Sequence, residues 1–185
     1  MFEDLRADAA RYAKVGGRWY SEAGFWVGAH YRFGRWAAKK APSPLRTPLV
    51  LAHKLVSLPI RYGMAVHLSR HADIGPGLLL SHPHSIMVPS GAKVGKDCAI
   101  YHEVTLGMAG NDGRVPELED GVVVFAGSRI LGGVKIGAHA EIGANCVVMR
   151  DIPPGAAFSV APARVVPSTM LGALRTPSSS NGKEL

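Results

Sequence analysis

Hydrophobic residues keep two different rhythms along this chain, and the change comes near residue 66. In "FEDLRADAARYAKV", residues 2–15, Phe2, Leu5, Ala9 and Tyr12 or Ala13 recur at helical spacing. Acids come early and Lys14 late, as the helix dipole favours, and the Gly16–Gly17 pair ends the element. A second helix is expected over 24–40, stacking Trp26, Ala29, Phe33 and Trp36 on one face and closing with Lys39 and Lys40. That aromatic stripe reads as helix-packing core; its alternative is a face that rests on a membrane, where Trp beside Arg and Lys is common. "APSPLRTP" then breaks the chain, and a third helix is expected over 48–65, kinked or ended near Pro59.

Past residue 66 the aliphatic residues recur every six positions. Leu68, Ile74, Leu80 and Ile86 form one register, and Val88, Val94, Ile100 and Leu106 form another, shifted by two. The later set resumes with Val124, Ile130, Ile136, Ile142 and Val148. A helical or alternating period cannot give six, whereas a solenoid can: each hexad is one flat face and three hexads make a triangular coil. Gly75, Gly95, Gly137 and Gly143 follow inward residues, where the backbone must turn sharply.

"GMAGNDGRVPELEDG", residues 107–121, drops out of this rhythm and reads as an excursion loop. The chain thus divides into a helical region over 1–66, a mainly β solenoid over 67–166 and a tail over 167–185 whose "LRTPSSSNGKEL" is expected to be disordered.

Charge refines this division. The net charge is +7, yet residues 1–66 hold eleven Lys/Arg against four Asp/Glu while 67–185 hold ten of each. The basic first third could meet anionic lipid headgroups or a polyanionic substrate, and residues 18–61 are the candidate for peripheral membrane contact. No nucleic-acid module accompanies the charge, so no nucleic-acid partner is expected. "PLVLAHKLVSLPI" is too interrupted to span a bilayer. Cys98 and Cys146, without a CxxC or a secretory leader, point to reduced thiols and a cytoplasmic location, with the inner membrane face as its extension.

Candidate chemistry gathers in "GLLLSHPHSIMVPSGAKVGKDCAIYHEVTLG", residues 77–107. His82 lies two after Leu80 and His102 two after Ile100. Their separation equals one 18-residue coil plus the two-residue register shift, so the two imidazoles are expected on adjacent coils at one edge, with His84 nearby. Zinc solenoids of the gamma carbonic anhydrase type use a histidine pair five apart, and position 107 is Gly here, so no metal is expected. For His30, His53, His71 and His139 the plainer reading is a surface or corner residue.

"DIGPGLLLSHPHSIMVPSGAKVGKDCAIYHEVTLG", "LEDGVVVFAGSRILGGVKIGAHAEIGANCVV" and "DIPPGAAFSVAPARVV" together resemble the serine O-acetyltransferase branch of the hexapeptide-repeat acyltransferases, over roughly 66–166. The opening "MFEDLRAD" and the short helical region resemble colanic-acid-type polysaccharide acetyltransferases of the same branch. The resemblance implies a left-handed parallel β-helix, a homotrimer with hexamers as the larger form, and acetyl-CoA as acyl donor along the subunit seam. His82 takes the place of the family's catalytic base, and direct transfer needs no acyl-enzyme.

Three positions depart from that pattern. The carboxylate that orients the histidine is replaced by His67, which leaves Glu103 as the candidate acid; the Asp before the base is Ser81; and the loop's "RHP" reads Arg114, Val115, Pro116. Arg114 can still pair with a carboxylate. His102, where serine enzymes carry an amide, matches the polysaccharide-type members and could bind a sugar hydroxyl or support catalysis. On the donor side, Ala126, Gly127 and Ala144 would border the pantetheine, with Lys135 or Arg164 toward a phosphate; corner geometry alone also accounts for the small residues. The expected activity is therefore O-acetyl transfer to a sugar or polysaccharide hydroxyl, with L-serine and a specialised metabolite as alternatives. A non-catalytic CoA-binding scaffold is the competing class. Serine enzymes also bind cysteine synthase through a carboxy-terminal tail; the tail here ends in Leu185, which gives that partnership little support.

Overall fold

The computed structural model describes residues 1–110 and 112–160; Arg164 and the tail 167–185 lie outside the described residues. Three helices, α1 (Phe2–Lys14), α2 (Ala23–Lys39) and α3 (Ser43–Gly63), precede fourteen strands of two or three residues each. Every strand pairing is parallel and joins one coil to the next, as a solenoid requires. The first face stacks β1 (His67–Leu68), β4 (Met87–Val88), β7 (Thr105–Gly107), β10 (Arg129–Leu131) and β13 (Val147–Val148). The second stacks β2 (Asp73–Ile74), β5 (Lys93–Val94), β8 (Glu117–Leu118) and β11 (Lys135–Ile136). The third stacks β3 (Leu79–Ser81), β6 (Ala99–Tyr101), β9 (Val123–Val124), β12 (Glu141–Ile142) and β14 (Ala157–Phe158).

The six-residue rhythm becomes the core. Val88, Leu106, Ile130 and Val148 line one wall of the axis, Ile100, Val124 and Ile142 another, and all seven are fully shielded from solvent. At the corner between the second and third faces, Gly77, Asp97, Gly121, His139 and Gly155 each take a positive φ between 54° and 81°. His139 is therefore a corner residue, in keeping with its plainer reading.

Three sequence expectations need correction. Leu118 stands six before Val124 and continues the hexad series, so the chain rejoins the coil at β8 and the excursion covers 108–116 rather than 107–121. The third helix starts at Ser43 and runs unbroken past Pro48 and Pro59; Pro44 falls in its first turn, where a missing N–H costs least, Pro48 falls in its second, and Pro59 is exposed. The aromatic stripe of α2 is not its buried face: Trp26 is exposed, and Phe25, Gly28, Tyr31 and Arg32 point inward instead.

The reason for that last inversion lies in what α2 covers. A solenoid ends in strands with unpaired peptide groups, which are costly to bury and prone to pair with another chain. Here side chains of α1 and α2 pair with them. The Tyr12 hydroxyl donates to Leu80 O (3.1 Å) and accepts from Leu80 N–H (2.9 Å). Tyr31 does the same between Ala72 O (2.9 Å) and Ile74 N–H (3.2 Å). Asp8 accepts from the N–H groups of Gly77 and Leu78, both at 2.9 Å, while Arg32 donates to Ile74 O and Gly75 O. Asp8 and Arg32 also form a two-pronged ion pair at 2.6 and 2.8 Å, and both are almost fully buried. A polar-tipped face therefore wins over the aromatic one. Gly24 completes the contact, since a Cβ there would stand 2.0 Å from Leu80 O.

Among the described residues no helix is long and apolar enough to cross a membrane.

α3 meets α2 through stacked imidazoles: His30 and His53 lie 4.1 Å apart with planes within 4°. His30 Nε2 is 2.8 Å from Ser57 Oγ, which donates to His53 O. Burial lowers His30 from its ordinary 6.5 to about 4, and burial also lowers His53 and His67, helped by Arg70 and Arg61 respectively. Each of these rings therefore holds a proton less readily than a free imidazole.

Two outcomes are expected. Asp8→Ala leaves Arg32 buried without its partner and two peptide N–H groups unpaired, and should cost about 3–5 kcal/mol in urea unfolding; a loss under about 1 kcal/mol would mean the cap is not what holds the helices down. Between pH 6.5 and about 4 the unfolded chain binds more protons at His30 than the fold does, so stability falls as pH drops through that window. The melting temperature should fall less steeply there in His30→Asn than in the parent; parallel curves would place the acid sensitivity elsewhere.

Candidate active site

The corner between the third and first faces carries the histidines. At this corner Ser85, Glu103, Gly127 and Asn145 stand one above another on successive coils, each with positive φ between 51° and 74°. Backbone bonds confirm the stacking: Glu103 N–H donates to His84 O, Gly127 N–H to His102 O and Asn145 N–H to Ala126 O. Gly127 is thus explained by the turn itself, and a Cβ there would meet Asn145 Oδ1 at 2.1 Å.

The first of these corners is longer than the next. Five residues, 82–86, join β3 to β4, whereas three, 102–104, join β6 to β7. The two extra residues put His82 itself into the left-handed region, at φ 51°. Non-glycine residues occupy that region at a cost and gather at functional sites. The result is the expected pair: β3 runs in register with β6, Ser81 opposite Tyr101, and the His82 and His102 rings meet edge to face at 6.3 Å. His82 is exposed and His102 half-buried. His102 Nδ1 is buried without a hydrogen-bond partner among the described residues, an unsatisfied polar atom at the centre of the edge. Such an arrangement can take a proton from a hydroxyl docked at His82.

Along the same edge the side chains shrink. His102 is followed by Ala126 and then by Ala144, both at the position just before the left-handed residue. This leaves only small side chains at these positions of the edge beside the histidine pair. Tyr101 and Phe125 flank these positions, their rings 5.1 Å apart. These aromatics were not anticipated, although each directly follows an inward residue of the hexad series, and that position is a readable signal.

Other anticipated residues lie elsewhere. His84 is exposed, with Nδ1 3.0 Å from Ser85 Oγ, and Ser81 is half-buried at the end of β3. The Glu103 side chain is exposed at its corner and makes no hydrogen bond to His82 among the described residues. His67 borders a cavity of about 420 Å³ between α2, α3 and the first coil, in the company of His30, His53 and Arg61, and no hydrogen bond joins it to His82 among the described residues. Lys135 belongs to the second face, where it pairs with Glu119 at 2.6 Å beside the Lys93–Glu117 pair, and Glu119 raises its pKa. Arg114 pairs with Asp112 at 2.7 Å in the excursion loop, packed over Gly133. That loop leaves from the far end of β7, whereas His102 precedes its near end. Arg114 packs over Gly133, just past β10 at the opposite end of the first face, so the width of that face separates it from the histidine pair of its own chain. No group of three or more His, Cys, Asp or Glu is placed to hold a metal among the described residues.

Comparison with known proteins agrees with this geometry. Residues 116–150 match the family model described as bacterial transferase hexapeptide (six repeats). The serine acetyltransferase of Escherichia coli (strain K12) is 34% identical over 145 residues, which is 77% of this chain and 50% of that enzyme. The chain thus spans about half the length of the curated relatives it matches. A serine acetyltransferase from Brucella abortus strain S19, solved in complex with coenzyme A, superposes with a TM-score of 0.70 at 25% identity, over 89% of this chain and 66% of that one. The soybean serine acetyltransferase apoenzyme superposes with a TM-score of 0.74 at 32% identity, over 89% of this chain and 68% of that one. On this likeness of sequence and coil together, the chain belongs to the serine acetyltransferase family of hexapeptide-repeat acyltransferases.

Proposed function

We propose that the protein is an acetyl-CoA-dependent O-acetyltransferase whose acceptor is L-serine, with His82 as general base. The observation that carries this reading is the His82–His102 pair at the head of a strip of small residues, at the edge of a coil shared with serine acetyltransferases. The expectation of a sugar acceptor gives way here, because the relatives named above are serine acetyltransferases.

Acetyl-CoA supplies the activated acyl group as a thioester. The Ala126–Ala144 strip fits its narrow pantetheine arm, and no side chain larger than methyl stands along it at those positions. His82, neutral, accepts the proton of the acceptor hydroxyl as that oxygen bonds to the acyl carbon. His82 then returns the proton to sulfur as the C–S bond breaks, so the imidazole ends as it began. His102, edge-on beneath it, restrains the ring plane. Proton transfer of this kind contributes on the order of 10²–10⁴ in rate.

A homotrimer is the assembly this reading calls for, and the position of Arg114 supports a site shared between copies. If Arg114 is to meet the acceptor carboxylate, it must come from a second copy, because β7 separates it from the histidines of its own chain. A site between copies is the arrangement the geometry supports.

A sugar hydroxyl is the second reading, favoured by Ser81 and Val115, which bring no charge to positions where the serine branch carries Asp and His.

The test is release of CoA thiol from acetyl-CoA with L-serine beside a panel of sugars. Release with L-serine is expected, and His82→Ala should lower it by about 10²–10⁴ with CoA binding retained. Release with a glycan alone would move the acceptor to the second reading. Bound CoA without turnover on any acceptor would make the protein a scaffold and sink the proposal.

A further inference from the structure

α3 has apolar residues on two sides, and the fold uses only one. His53, Ser57 and Ile60 face α2 and the first coil. On the opposite side Leu51, Leu55, Leu58 and Tyr62 follow one another at the i, i+4, i+7, i+11 spacing of a single helical stripe, Leu58 standing at the margin where it also borders the cavity between α2, α3 and the first coil. Their exposures are 57%, 60%, 46% and 81%, and no residue of α3 is fully buried. Four large apolar side chains in a row on one open helix face mark an interaction site rather than a solvated surface.

Charge identifies the occupant. From Ala23 to Ala72 the chain contains eight Lys/Arg and no Asp or Glu. Lys54 and Arg61 precede Leu55 and Tyr62 by one residue each, so they border the stripe along the edge that turns toward the cavity, and both remain exposed. Two copies packing α3 against α3 would press these cations on one another with no carboxylate from either helix to answer them. A bilayer with anionic headgroups answers both features: the apolar side chains enter the acyl boundary and the cations reach the phosphates. The helix is not long and apolar enough to span, so it can only lie flat.

We propose that α3 is a peripheral membrane anchor, in which Leu51, Leu55, Leu58 and Tyr62 insert into an anionic lipid surface and Lys54 and Arg61 hold its headgroups. The anchor is independent of the acceptor reading, and it would hold the solenoid at a membrane face.

Co-sedimentation of the full chain with phosphatidylcholine vesicles, with and without phosphatidylglycerol, tests this. Binding is expected only with phosphatidylglycerol and should weaken with added salt. The Leu55→Asp, Tyr62→Ser double variant should lower the partition coefficient by about tenfold or more. The milder Lys54→Gln, Arg61→Gln pair, which removes no apolar contact, should lower it by roughly fivefold for each cation. Light scattering and thermal melting of the same samples separate folding and assembly from lipid binding. Failure of the parent to bind phosphatidylglycerol vesicles overturns the proposal, as does undiminished binding by both variants. A change in oligomer size in the first variant without vesicle binding by the parent would make the stripe a contact between copies, which also overturns it.

Discussion

An open β edge has to be closed, and in this protein the closure decides how the helices are built. The first coil presents peptide groups at Ala72, Ile74, Gly75, Gly77, Leu78 and Leu80 that no earlier coil can pair. Five side chains, Asp8, Tyr12, Tyr31, Arg32 and Arg35, do so from two helices. Hydrogen bonds of this kind contribute little net energy when made and cost much more when a buried partner is lost. The Asp8–Arg32 pair is therefore less a source of stability than a condition for burying the end at all. Because these side chains are spaced to match peptide groups on two faces of a triangular coil, α1 and α2 can dock in one orientation only.

With that end fixed, the histidine corner inherits its geometry. The five-residue turn between β3 and β4 is anchored to α3 by Ser85 N–H on Met64 O (2.9 Å) and to the next coil by His84 O. The longer turn puts His82 in a left-handed conformation and brings its ring over His102. Rigidity is the point: side chains mounted on a hydrogen-bonded coil hold their relative positions far better than side chains on free loops. The excursion loop is the contrasting element, carrying Arg114 at an exposed tip whose strongest contact is to its own Asp112. The histidine corner is thus set by the coil, whereas the excursion loop is free of it over most of its length.

The helical region plays two roles that composition alone blends together. Its buried polar side chains seal the coil, and its outer helix carries basic residues without acidic partners. The first role consumes Arg32 and, through Ala72 O and Asp73, Arg35; the second leaves Lys54 and Arg61 exposed. A net-charge count gives all four equal weight.

The sequence by itself determined the solenoid, since a six-residue period of aliphatic side chains has one structural solution and the inward residues at 88, 100, 106, 124, 130, 136, 142 and 148 are all buried. It also determined the meeting of His82 and His102, because a coil repeat converts sequence separation directly into vertical neighbours. Leu118 was legible on the same grounds and was obscured only by the glycines and acids around it. Tertiary structure alone decided which face of α2 turns inward, because Tyr31 and Arg32 look like surface residues until the peptide groups that need them are in place. It alone decided that Lys135 is held by Glu119 on another face and that β7 stands between Arg114 and the histidines. Periodicity fixes what repeats within a coil; where a helix or loop lands depends on contacts between residues far apart in the chain, which no local pattern encodes.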